Sequence, residues 1–70
     1  MKMSGSSIGE RISTLRQAKS LTQEELASRA NLTKGFISQV ERNLTSLSVE
    51  SLLGILDALD EKPSTFFDEA

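Results

Sequence analysis

The sequence predicts an all-α fold, a compact domain of five short helices. Three observations carry that expectation. Apolar residues recur three and four positions apart in successive segments, the period of one helical face. Hydroxyl residues stand just ahead of those segments, where a helix needs a side-chain oxygen for its first free N–H groups. No stretch alternates apolar and polar residues as a half-buried strand would.

The first helix rests on Ile8, Ile12 and Leu15, spaced as one apolar stripe. Ser6 or Ser7 caps its start, and Glu10 lies in its first turn, where the helix dipole favours a carboxylate. Ala18 and Lys19 close it. Ser20 follows where a glycine would relieve left-handed strain, so this end is weakly specified. Residues 1–7, with Ser4, Gly5, Ser6 and Ser7, read as a flexible leader, and residues 8–68 as the folded domain.

Thr22 starts the second helix, and Glu25 three residues on completes a capping box. Leu26, Ala27 and Ala30 face inward, and the helix runs to about Arg29. Asn31 tolerates the left-handed conformation that a sharp turn needs, and Leu32 plugs the corner. Thr33 caps a third helix whose inner face is Ile37 and Val40, and Asn43 ends it in the same left-handed way. Ser48 caps the fourth helix, with Val49, Leu52, Leu53, Leu56 and Leu59 as its expected buried side. Gly54 inside that helix suggests close approach of a neighbour. After a turn at Asp60, Glu61 and Lys62, Pro63 suits the first position of a short fifth helix carrying Phe66 and Phe67.

Composition excludes much. With no cysteine and no histidine, the chain lacks disulfides and the commonest general base and metal ligand. No carboxylate pair sits at a telling spacing, so an enzyme is not expected, nor a cofactor or metal. No apolar run approaches the roughly 20 residues of a membrane span, and the N-terminus lacks a signal-peptide core, so a cytoplasmic protein is expected. The net charge of −2 conceals an asymmetry: residues 11–42 carry +3 and residues 43–70 carry −5. Ordinary scatter and a basic binding face are equally good readings of that split.

The stretch from Gln23 to Arg42, QEELASRANLTKGFISQVER, carries the function. Ala27 is small where two helices must cross closely. Asn31 sits at the turn, and Leu32, Ile37 and Val40 face the core. Two helices joined by so short a turn leave the second one protruding, able to enter the DNA major groove. Here the chain resembles the Cro/phage-repressor type of helix-turn-helix, the XRE family, from about Ile8 to Phe67. The ending PSTFF is similar to that of members whose DNA-binding domain precedes a separate sensor domain, often a cupin. The resemblance implies a repressor-like five-helix fold, homodimers on near-palindromic double-stranded operators, and transcriptional regulation, with repression the expected outcome. Asn31, Ser20 and Asn43 stand where the family commonly has glycine, and Leu47 where it commonly has proline.

Base reading falls to the exposed start of the third helix. Lys34 can donate to guanine, Gln39 can pair with adenine, and Phe36 can touch a thymine methyl. Gly35 offers no side chain at a base-facing position, which suits close backbone approach. The alternatives are a core role for Phe36 beside Ile37 and that of a solvated polar residue for Gln39, with the reading role favoured for both. Backbone contacts are expected from Thr22, Gln23, Thr33, Ser38, Arg42, Asn43, Thr45 and Ser46, that of Gln23 by family resemblance. Arg11 and Lys19 read equally well as phosphate contacts or solvated surface. The resemblance also implies a partly buried ion pair between Arg16 and Glu41. Ile55, Leu59, Phe66 and Phe67 either form a dimer interface or complete a small core. The competing function is a protein-interaction module that keeps this fold without binding DNA; the acidic total favours it and the polar reading face opposes it.

Overall fold

The structure is a computed structural model that describes residues 7–68. Its five helices are α1 (Ile8–Ala18), α2 (Gln23–Ala30), α3 (Lys34–Glu41), α4 (Val49–Ala58) and α5 (Pro63–Asp68). No strand occurs among the described residues. Of the expected leader only Ser7 is described, and it belongs to the fold as the N-cap of α1.

Four helices start on a hydroxyl. The side chains of Ser7, Thr22, Thr33 and Ser48 each accept a hydrogen bond from the backbone N–H three residues on. In α1 and α2 a glutamate, Glu10 or Glu25, returns the favour to the cap's own N–H. The box in α2 is the expected one. The box in α1 settles the choice of cap on Ser7.

The helix ends follow one rule as well. Ser20, Asn31, Asn43 and Asp60 all have φ near +60°. In each case the next residue's N–H bonds back across the last turn: Leu21 to Arg16, Leu32 to Ala27, Leu44 to Gln39 and Glu61 to Leu56. These bonds satisfy carbonyls that a helix end otherwise leaves free. Asn31 and Asn43 behave as expected. Ser20 adopts the strained conformation despite its side chain, and Asp60 does so without having been singled out.

The core comprises Ile12, Leu26, Ala27, Ile37, Val40, Leu52, Ile55, Leu56, Leu59 and Phe66. α2 packs against both α3 and α4, and α1 packs against α3. Full burial of one such side chain stabilises by roughly 1.5–3 kcal/mol. Helix propensities differ by less than about 1 kcal/mol per ordinary residue, so packing decides which face turns inward.

Packing corrects several expectations. Val49 and Leu53 are 72% and 41% exposed rather than buried. Ser48 caps α4 so that Val49 is its first residue, and the inward stripe passes through Leu52, Ile55, Leu56 and Leu59 instead. At 100° per residue Leu53 lies on the flank of that stripe, whereas Val49 falls near the angle of Leu56 and is exposed as the first residue of the helix. Ile55, Leu59 and Phe66 are fully buried, so they complete the core and are unavailable to a dimer, whereas Phe67 is half exposed. Ile8 belongs to the expected stripe of α1 but remains 44% exposed at its first turn. A side chain at Gly54 would meet nothing within 4 Å, so no neighbour approaches there. Arg11 is no solvated cation. Its guanidinium lies 3.9 Å from the centre of the Phe66 ring and donates to the Phe66 carbonyl, tying α5 to α1.

Candidate nucleic-acid interface

The helix pair α2–α3 is held by polar contacts as well as apolar ones. Arg16 of α1 donates from Nε to Glu41 Oε2 at 2.7 Å and from Nη2 to Glu41 Oε1 at 3.1 Å. Its Nη1 donates to the Leu21 carbonyl at 2.7 Å. The side chains of Arg16 and Glu41 are only 13% and 5% exposed. Glu41 also accepts from Gln23 Nε2, at 3.0 Å. One carboxylate at the end of α3 therefore receives donors from α1 and from the first residue of α2. The fork geometry of the guanidinium matches the carboxylate twice, and further hydrogen bonds satisfy what remains, which is the condition for a buried pair to be tolerated.

Gln23 thus has a role beyond the one expected of it. An amide carries two N–H donors. One is spent on Glu41, and the side chain is half-buried at the start of α2.

A second contact fixes the same end of α3. Gly9, buried in the first turn of α1, faces the last turn of α3. A Cβ built there would stand 2.2 Å from the Val40 carbonyl oxygen and 3.0 Å from that of Glu41. Asn43 Nδ2 donates to Ser7 Oγ at 2.8 Å, and the same oxygen caps α1 by accepting from the Glu10 N–H. Sequence reasoning missed Gly9. The available signal was a glycine inside a well-capped helix, where it serves no local purpose.

The other end of α3 is open. Thr33, Lys34, Gly35 and Gln39 are exposed, and Ser38 is half-buried. The Thr33 hydroxyl accepts from the Phe36 N–H at 3.1 Å and so caps the helix. Phe36 packs against the core while remaining partly accessible. The expected backbone-contacting residues fall at the two flanks. Thr22 is exposed at the start of α2, its oxygen accepting from Glu25. Arg42, Asn43 and Ser46 are exposed after α3, and Thr45 is half-buried beside them. The amide of Asn43 is turned inward to Ser7.

Lys34 and Gln39 therefore share an exposed helix with Gly35 between Lys34 and Phe36. Such a surface can donate and accept hydrogen bonds. No group of His, Cys, Asp or Glu able to hold a metal ion occurs among the described residues. No helix among them is long and apolar enough to cross a membrane.

A family model described as helix-turn-helix matches residues 12–66. The chain is 38% identical over 63 residues to the HTH-type transcriptional regulator SinR of Bacillus subtilis (strain 168), covering 89% of this chain and 57% of that protein. It is 32% identical over 62 residues to the immunity repressor protein of Bacillus phage phi105, covering 89% of this chain and 43% of that protein. The chain thus spans about half the length of the curated relatives it matches. Among solved structures it resembles the restriction-modification controller protein C.Esp1396I as a tetramer in complex with its natural 35 base-pair operator. The TM-score is 0.83 at 36% identity, covering 87% of this chain and 80% of that one. The wild-type controller protein solved by itself gives the same TM-score.

Proposed function

This chain belongs to the helix-turn-helix family, and on that footing we propose that it is a sequence-specific, double-stranded DNA-binding transcriptional regulator that acts as a repressor. The observation that carries the reading is the asymmetry of α3. Its C-terminal end is clasped by α1 and α2, while its N-terminal turn presents Lys34, Gly35 and part of Phe36 to solvent, with Gln39 one turn on. A helix held at one end and bare at the other is suited to insertion into a major groove, where N-terminal residues meet base edges.

In this reading Lys34 and Gln39 supply direct readout and the exposed part of Phe36 an apolar contact. Thr22, Gln23 and Thr33 on one flank, with Ser38, Arg42, Asn43, Thr45 and Ser46 on the other, set register against phosphates. The domain spans residues 8–68 with Ser7 as its cap. It acts as a homodimer in the cytoplasm, with the exposed Leu53 and Phe67 as apolar contacts between copies. No catalytic role is assigned to it.

Selection from random-sequence duplex DNA followed by footprinting tests the proposal. A near-palindrome should emerge, with half-sites about 10 bp apart. Affinity should fall steeply as salt rises, because each neutralised phosphate releases counterions. Enrichment of no sequence above background would overturn the proposal.

A further inference from the structure

Three described helical glycines serve this fold in different ways. Gly9 is required by packing, since its Cβ would collide with the backbone of α3. Gly35 is not required by packing against any described residue. It is exposed, it lies in an ordinary right-handed helix, and a Cβ built on it meets nothing within 4 Å. Glycine there forgoes helix propensity and leaves the unfolded chain more freedom to lose. The fold would be better served by almost any other helix former. Gly54 is equally open, so openness alone assigns no role. Position separates the two. Gly35 lies between Lys34 and Phe36 on the exposed first turn of α3, whereas Gly54 is on α4, which packs against α2.

We infer that Gly35 is a specificity-determining residue: its missing side chain lets the α3 backbone lie directly against DNA, bringing Lys34 and Gln39 within reach of base edges. This rests on the DNA-reading proposal above and adds a particular demand to it. How closely a helix backbone lies against a groove is set, at each position, by the side chain that stands between it and the bases. A side chain at position 35 would stand between its neighbours and the bases, lifting the helix outward and lengthening every contact that Lys34 and Gln39 make. The glycine is therefore kept at the expense of stability and for the sake of fit.

The test uses the operator recovered by selection, with Gly35→Ala and Gly35→Leu compared with the whole wild-type chain. Thr14→Ala, an exposed substitution on α1 far from the reading turn in sequence, controls for stabilisation by itself. All three variants should melt at or above the wild-type temperature. Operator affinity should fall at least 10-fold for Gly35→Ala and further for Gly35→Leu, while Thr14→Ala binds as wild type does. Equal or tighter operator binding by both Gly35 variants would overturn the inference while leaving the DNA-reading proposal intact. A wild-type chain that selects no DNA would overturn both. A melting temperature lowered by Gly35→Ala would show that the fold itself uses the glycine, and would also overturn it.

Discussion

The two ends of α3 are built on opposite principles. At its C-terminal end, Val40 and Glu41 are buried, Gly9 admits the backbone of α1 at close range, and Glu41 receives donors from Arg16 and Gln23. At its N-terminal end, Thr33, Lys34 and Gly35 face solvent, and the half-buried Phe36 and the buried Ile37 tie that turn to the core. The difference teaches where rigidity and recognition are divided. A helix that is to read DNA, as proposed above, must hold its angle while leaving its contact groups unspent, and on that proposal one end does each job.

If that division is right, substitutions at the clasped end should be costly for folding and those at the open end nearly neutral. The largest effect is expected from Glu41→Ala. It strands the Arg16 guanidinium in a site where that side chain is only 13% exposed. Removing one member of such a pair costs roughly 3–5 kcal/mol. A domain of this size holds a net stability of only about 3–5 kcal/mol, so the variant should be largely unfolded in urea titrations followed by circular dichroism. Replacing both members, as Arg16→Met with Glu41→Leu, should recover much of the loss because no charge is left unpaired. A Glu41→Ala variant as stable as wild type would show that the clasp does not hold α3.

Gly9→Ala comes next. The new methyl cannot coexist with the Val40 carbonyl at 2.2 Å, so α1 must shift away from α3. Overpacking of this kind costs about 1–3 kcal/mol, whereas an ordinary helical glycine would gain from the change. The sign of the shift in melting temperature decides between them.

At the open end the effects should shrink. Thr33→Ala removes the cap that accepts from the Phe36 N–H, and about 1 kcal/mol should go with it, restored by Thr33→Ser. A melting curve unchanged by Thr33→Ala would rule out the cap as a contributor. Lys34→Ala combined with Gln39→Ala should alter stability by no more than about 0.5 kcal/mol, since both are exposed. The same pair should lower operator affinity by roughly 30-fold or more, because two base contacts are lost and each is worth about 1–3 kcal/mol of discrimination. Unaltered sequence preference in a repeat selection would remove Lys34 and Gln39 from the reading face.

Much of this molecule is legible in its sequence. Thr22, Thr33 and Ser48 announce their helices because capping is a bond between residues three apart. Asn31 marks the turn because few residues accept a left-handed backbone. Local rules of this kind need no knowledge of the rest of the chain. They fail where several residues compete for one face. Val49 and Leu53 have the same apolar character as Leu52 and Leu56, and only the placement of α2 against α4 turns one pair out and the other in.

The sequence by itself determined the number of helices, the caps of α2, α3 and α4, the position of the turn and the polar side chains at the start of α3. All of these follow from interactions within a few residues, or from side-chain chemistry. The tertiary structure alone decided that Gly9 must be glycine, that Gln23 leans on Glu41, that Arg11 serves α5, and that Phe66 is core while Phe67 is surface. Each of these joins groups from different helices. Their energies depend on distance and burial, which come into being only when the helices meet.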